Sequence, residues 1–144
     1  MDALNQVGAL GTLVMSLLGL LLPKTAARFV GLLPLTPAGR SEFRATYGGL
    51  WAPLALMPLI TQDPIVFAVS GLCWAGAAVG RIVSILLDDA LDAQNLKAVG
   101  FELVFAALLL VGDPWRAALA LLGSRQDGPA AGPQRAKVKP PFTG

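Results

Sequence analysis

Long apolar runs leave this chain few folds to choose from. Four of them can be drawn, at about Leu4 to Leu22, Ser41 to Thr61, Pro64 to Leu87 and Leu96 to Gly112. Roughly eighteen to twenty apolar residues as a helix match the hydrocarbon thickness of a bilayer. Only a helix or a closed barrel satisfies its own backbone there. The chain is 55% hydrophobic and 14% charged over 144 residues, more apolar than a soluble domain of this length with a surface facing water. The expected fold is all-α, a four-helix transmembrane bundle formed by residues 1–123. A short interfacial helix follows span four, and residues 124–144 form a disordered tail.

Punctuation along the chain supports this division. "PK" at Pro23 and Lys24 stops the first run, and Ser41 is the expected N-cap of the second. "DP" at Asp63 and Pro64 opens the third, an N-cap followed by a first helical residue. A second "DP", Asp113 and Pro114, starts "WRAALALLG", which Trp115 and Arg116 suit to the headgroup region. The first loop, "KTAARFVGLLPLTPAGR", reads as a short interfacial helix and a proline-rich turn. From Ser124 onward Gly, Pro, Ala and basic residues dominate, too little apolar surface to offset chain entropy. "MDALNQ" lacks a basic n-region, so the first run is expected to be retained. Lys and Arg are balanced between the two sides, and the positive-inside rule gives no orientation. Both termini are expected in the cytoplasm.

Several functions find no support. Net charge is +2, which makes no case for nucleic acid. Histidine is absent and Cys73 is the only cysteine, so the commonest metal ligands and an intrachain disulfide are missing. "DDALD", Asp88 to Asp92, has a spacing that can bind magnesium-diphosphate, but it stands in a loop without a second acidic motif and reads as solvated. No metal, no cofactor and no catalytic constellation is expected.

The charges in "GRSEFRATYGGLW" lie at the mouth of an apolar run and need partners. Alternating spans place the start of span two, the end of span three and the start of span four on one side. Glu42 and Arg44 sit in the first turn of span two. Arg81 lies six residues before Leu87, roughly 9 Å along a helix, and Glu102 is similarly deep in span four. An unpaired charge at the membrane centre costs about 2.5–3.5 kcal/mol on insertion scales. Arg81 is therefore expected to pair with Glu42, Glu102 or both, in a cluster facing the bundle interior. Small residues at helical spacing mark the expected packing faces: Gly8, Thr12 and Ser16 on span one, Gly49 on span two, Gly76 and Gly80 on span three. Pro53 and Pro58 are expected to kink span two. Cys73 and Trp74 read as packing or lipid-facing residues.

"GRSEFRATYGGLW", "GRIVSILLD" at Gly80 to Asp88 and the glutamate of the last span resemble a bacterial family of small integral membrane proteins, domain of unknown function 4345. The resemblance spans about Leu4 to Gly112. It singles out Gly39, Arg40, Glu42, Arg44, Tyr47, Gly48, Gly80, Arg81 and Glu102, and so adds Tyr47 to the polar cluster. It implies a multi-pass protein of the bacterial inner membrane and carries no activity.

The first functional expectation is a non-enzymatic membrane protein, an accessory or structural subunit of a larger membrane complex, with lipid and other membrane subunits as partners and no nucleic acid. The alternative is a small transporter or ligand-binding protein using the Glu and Arg cluster. A prenyl or lipid-phosphate transferase would rest on "DDALD" alone.

Overall fold

The structure, a computed structural model, describes residues 2–33 and 36–123. The expected disorder of residues 124–144 lies outside the described residues. Those described are all-helical, with α1 Ala3–Leu21, α2 Pro23–Phe29, α3 Pro37–Phe43, a π-helical segment Arg44–Leu50, α4 Trp51–Thr61, α5 Pro64–Leu87, α6 Ala93–Leu110 and α7 Asp113–Gly123.

Three helices, α1, α5 and α6, are long and apolar enough to cross a membrane. This corrects the expectation of four uninterrupted spans. The run expected as span two is one helical ribbon from Pro37 to Thr61, but its middle is π-helical and α4 has only 11 residues, about 16 Å. Gly48 and Gly49 have no Cβ to hold an α-turn, and Pro53 removes the next donor but three, so the α ladder is weakest where the wider turn forms. The ribbon also begins earlier than Ser41. Thr36 is the N-cap, its hydroxyl accepting from Gly39 N–H at 3.0 Å, with Pro37 as first helical residue.

The other starts follow side-chain caps. Asp63 accepts from Ile65 N–H at 2.7 Å to open α5. Asp92 accepts from Asn95 N–H at 2.7 Å and opens α6 three residues before the expected Leu96.

α1, the ribbon, α5 and α6 alternate in direction, so α1 and α5 run parallel, and polar side chains fix both ends. At the first end, Asn5 of α1 is fully buried and donates to Leu108 O at 3.0 Å and Val111 O at 3.1 Å, capping α6. Gln6 and Gln62 join the start of α1 to the end of α4. At the second end, Arg44 Nε donates to Leu20 O at 3.0 Å and closes the C-terminus of α1. Phe67, Trp74, Ala106 and Leu109 form the core with Ala9.

Lipid tails are as apolar as leucine, so close backbone approach and interhelical hydrogen bonds hold such a bundle together. The contacts of α1 follow that rule. Gly8 lies against Leu109, Thr12 accepts from Trp74 Nε1 at 2.9 Å, and Ser16 donates to Gly48 O at 2.8 Å. Gly19 and Gly48 make the tightest crossing. A Cβ on Gly19 would stand 2.8 Å from the Tyr47 backbone, and one on Gly48 would stand 2.9 Å from the Leu20 backbone. The packing role expected of Gly49, Gly76 and Gly80 does not hold. All three are exposed; nothing surrounds a Cβ at Gly76 or Gly80, and Gly49 meets only its own turn. Helical spacing marks a stripe but not which stripe meets a neighbour.

Candidate functional site

The site forms at the second end, where the end of α5, the start of α6, α2 and the π segment converge. Gln94 Nε2 of α6 donates to Phe29 O of α2 at 2.6 Å, and the Phe29 and Phe101 rings meet edge to face at 5.6 Å. Phe43 and Tyr47 stack at 4.4 Å between ring centroids, and both side chains form part of the wall. The helices border an open cavity of about 870 Å³.

Its lining is aromatic on most sides. Phe29, Phe43, Tyr47, Trp51, Trp74 and Phe101 line it, six of the ten aromatic residues in the chain. Trp51 and Trp74 lie 4.4 Å apart between centroids, and Trp74 in turn meets Phe101. The Trp74 indole N–H is satisfied by Thr12, so this ring is fixed rather than free to turn into lipid.

A hydrogen-bonded polar constellation is set in this wall, beside the separate cations Arg28 and Lys97. Arg81 Nε donates to Glu102 Oε1 at 2.6 Å, and Arg81 Nη1 donates to Asn95 Oδ1 at 3.1 Å. Asn95 is itself held by its Nδ2 donating to Ala90 O at 2.8 Å. The Glu102 side chain is 9% exposed and that of Arg81 21%. Glu102 Oε2 is buried without a hydrogen-bond partner, the only such side-chain atom among the described residues. A carboxylate oxygen removed from water and left unpaired costs on the order of 1–3 kcal/mol or more, so this oxygen can accept one further hydrogen bond.

The expected cluster is thus partly assembled. Arg81 and Glu102 meet; Glu42 and Arg44 do not join them. Glu42 is exposed and, among the described residues, accepts only from Thr46 at 3.3 Å, one helical turn on. Arg44 is exposed and spent on the end of α1. Depth along the bundle was matched, but the direction of each side chain around its helix was not. Tyr47 lines the cavity. Asn95 and the aromatic wall were missed. Asn95 had a signal, since it precedes Glu102 by seven residues, two turns along one face.

Two further polar features are accounted for. Asp88 Oδ2 accepts from Ser84 at 2.7 Å and Asp92 caps α6. Among the described residues no three acidic, Cys or His side chains group as they would to hold a metal ion.

These helices and this chamber define a small all-helical protein with three helices able to cross a membrane and a polar pair set in an aromatic cavity. The chain belongs to the family described as domain of unknown function (DUF4345), whose model matches residues 3–112 and so covers every helix that builds the chamber. Neither a curated protein nor a solved structure matches it.

Proposed function

We propose that this protein is a non-catalytic, multi-pass protein of the bacterial inner membrane that holds one lipid-phase molecule in the chamber. The polar end of that molecule meets Arg81, Asn95 and Glu102, and its body lies against the aromatic wall. The observation that carries this reading is Glu102 Oε2, a buried acceptor without a donor beside a cavity of about 870 Å³. That volume is in the range of pockets holding one small ligand, about 300–1,000 Å³, and its few polar groups in an apolar wall are the usual pattern of such sites. The arrangement favours ligand binding over a purely structural subunit, because an ion pair serving packing alone gains nothing from an open chamber beside it. A role within a larger membrane complex is compatible with this, the bound molecule being presented to or taken from a partner subunit.

The test is retention of an amphipath by the delipidated protein in native mass spectrometry. A monoacylglycerol, which carries donor hydroxyls on one chain, should be retained one to one by the wild type. Glu102→Leu should lose it by about tenfold or more, the usual value of a hydrogen bond to a charged group. Equal retention by the wild type and Glu102→Leu would refute the site.

A further inference from the structure

We infer that the occupant is a single-chain anionic amphipath with a hydroxyl between its anionic group and its chain, the chemistry of a lysophospholipid bearing a phosphate. This rests on the binding reading above and specifies its substrate class.

The charges of the lining do not balance. Arg28, Arg81 and Lys97 are cationic and Glu102 is the one acid, which leaves a formal excess of two positive charges. Arg81 is matched by Glu102, the only ion pair among the described residues. The excess therefore belongs to Arg28 and Lys97, which are exposed and have no carboxylate partner among the described residues. Both lie at the mouth. Arg28 adjoins Phe29, whose carbonyl is bonded to Gln94 in the first turn of α6, and Lys97 stands in the second turn.

Depth separates these cations from the orphaned oxygen. Lys97 precedes Glu102 by five residues on one helix, about 7.5 Å of rise. An occupant satisfying both features places an anion at the mouth and a hydrogen-bond donor several ångströms deeper, with apolar substance beyond. A free lipid alcohol or monoacylglycerol has the donor without the anion. A diacyl phospholipid has the anion but carries esters where the donor is needed. A lysophosphatidate has both in the required order, and its one chain suits a cavity of single-ligand volume. Long cationic side chains at the membrane surface are well suited to phosphate, since their heads reach the interface while their stems cover apolar wall.

Competition in native mass spectrometry tests this with four probes: oleoyl lysophosphatidate, its hydroxyl methyl ether, monooleoylglycerol and dioleoyl phosphatidate. Lysophosphatidate should be retained best. The methyl ether should fall about tenfold, through loss of the donor to Glu102. The paired Arg28→Gln and Lys97→Gln variant should lower lysophosphatidate retention roughly thirtyfold at low salt while leaving monooleoylglycerol unchanged. Both positions are exposed, so the variant keeps its fold. Equal retention of lysophosphatidate and monooleoylglycerol by the wild type would overturn the anion and leave the binding reading standing. Preference for the diacyl phosphatidate would overturn the single-chain class. Retention of none of the four would overturn both readings.

Discussion

Arg81 and Glu102 form a pair that uses only half of the carboxylate. Nε of Arg81 is 2.6 Å from Oε1, while Oε2 is buried and unpartnered. Removing the arginine strands the whole carboxylate, whereas removing both groups leaves an apolar lining. Arg81→Ala should therefore destabilise the protein in detergent by about 3 kcal/mol, the low end for buried pairs because Arg81 is partly exposed. Arg81→Ala combined with Glu102→Leu should recover most of that loss. Arg81→Lys should recover less, because the guanidinium reaches Glu102 and Asn95 in two directions at once. Thermal melts of the set check this, and additive losses would show the two residues uncoupled.

The crossing of Gly19 and Gly48 gives a second expectation. Neither tolerates a methyl group, because the atoms in the way are backbone, which cannot rotate aside. Gly19→Ala and Gly48→Ala should each cost about 1–3 kcal/mol, the range for overpacked sites. Gly76→Ala and Gly100→Ala meet open space. They should be neutral or stabilising by up to about 1 kcal/mol, the helix propensity difference. Melting temperatures of the four variants in one detergent distinguish the two classes.

That Arg81 pairs with a glutamate at its own depth was legible in the sequence, with Glu42 and Glu102 both offered, because alternating helices and a fixed rise per residue determine depth. The same reasoning failed for Glu42 and Arg44. Depth is linear in residue number, but azimuth depends on the number of residues per turn, and the π segment changes that number from Arg44 to Leu50. No hydrophobic periodicity announces a π turn; "GG" followed by proline was the only cue. The chamber was illegible for a related reason. Its six aromatic residues come from six separate helical segments and share no local pattern. The end-capping role of Asn5 was equally hidden, since its carbonyl partners lie more than a hundred residues away. The helix starts at Asp63 and Asp113, by contrast, depend on adjacent residues, and those were read directly.

Asn5 supplies a third expectation. Its amide, fully buried, closes the C-terminus of α6 from inside the bundle. Asn5→Leu keeps the branched skeleton and leaves those carbonyls without a donor, at a cost of about 1–3 kcal/mol. Hydrogen exchange should accelerate at the N–H groups of the α6 C-terminus and the turn into α7, and remain unchanged around Asp92. Uniform acceleration along the chain would show that Asn5 serves global stability instead of this junction.

The last expectation concerns the ribbon from Pro37 to Thr61. α4 alone is too short to cross a bilayer, yet residues 45–61 form an uncharged stretch of 17, at the lower limit for a span. The π segment is no obstacle to crossing, since local π turns are accommodated in membranes wherever neighbours satisfy the freed backbone groups. Ser16 does this for Gly48 O, and Arg44 caps α1 at the level where an interface would lie. The ends of the ribbon lie at opposite ends of α1, Gln62 against Gln6 and Arg44 against Leu20 O. In a Cys73→Ala background, single cysteines at Thr36 and Gln62 should react with a membrane-impermeant maleimide from opposite sides of the membrane. A cysteine at Asp2 should share the side of Val111 and Gln62 and react together with a cysteine at Gln62. Labelling of the Thr36 and Gln62 positions from one side would leave three spans, with the ribbon folded back within one leaflet. The chamber would then open at the interface and admit its occupant from water as readily as from lipid.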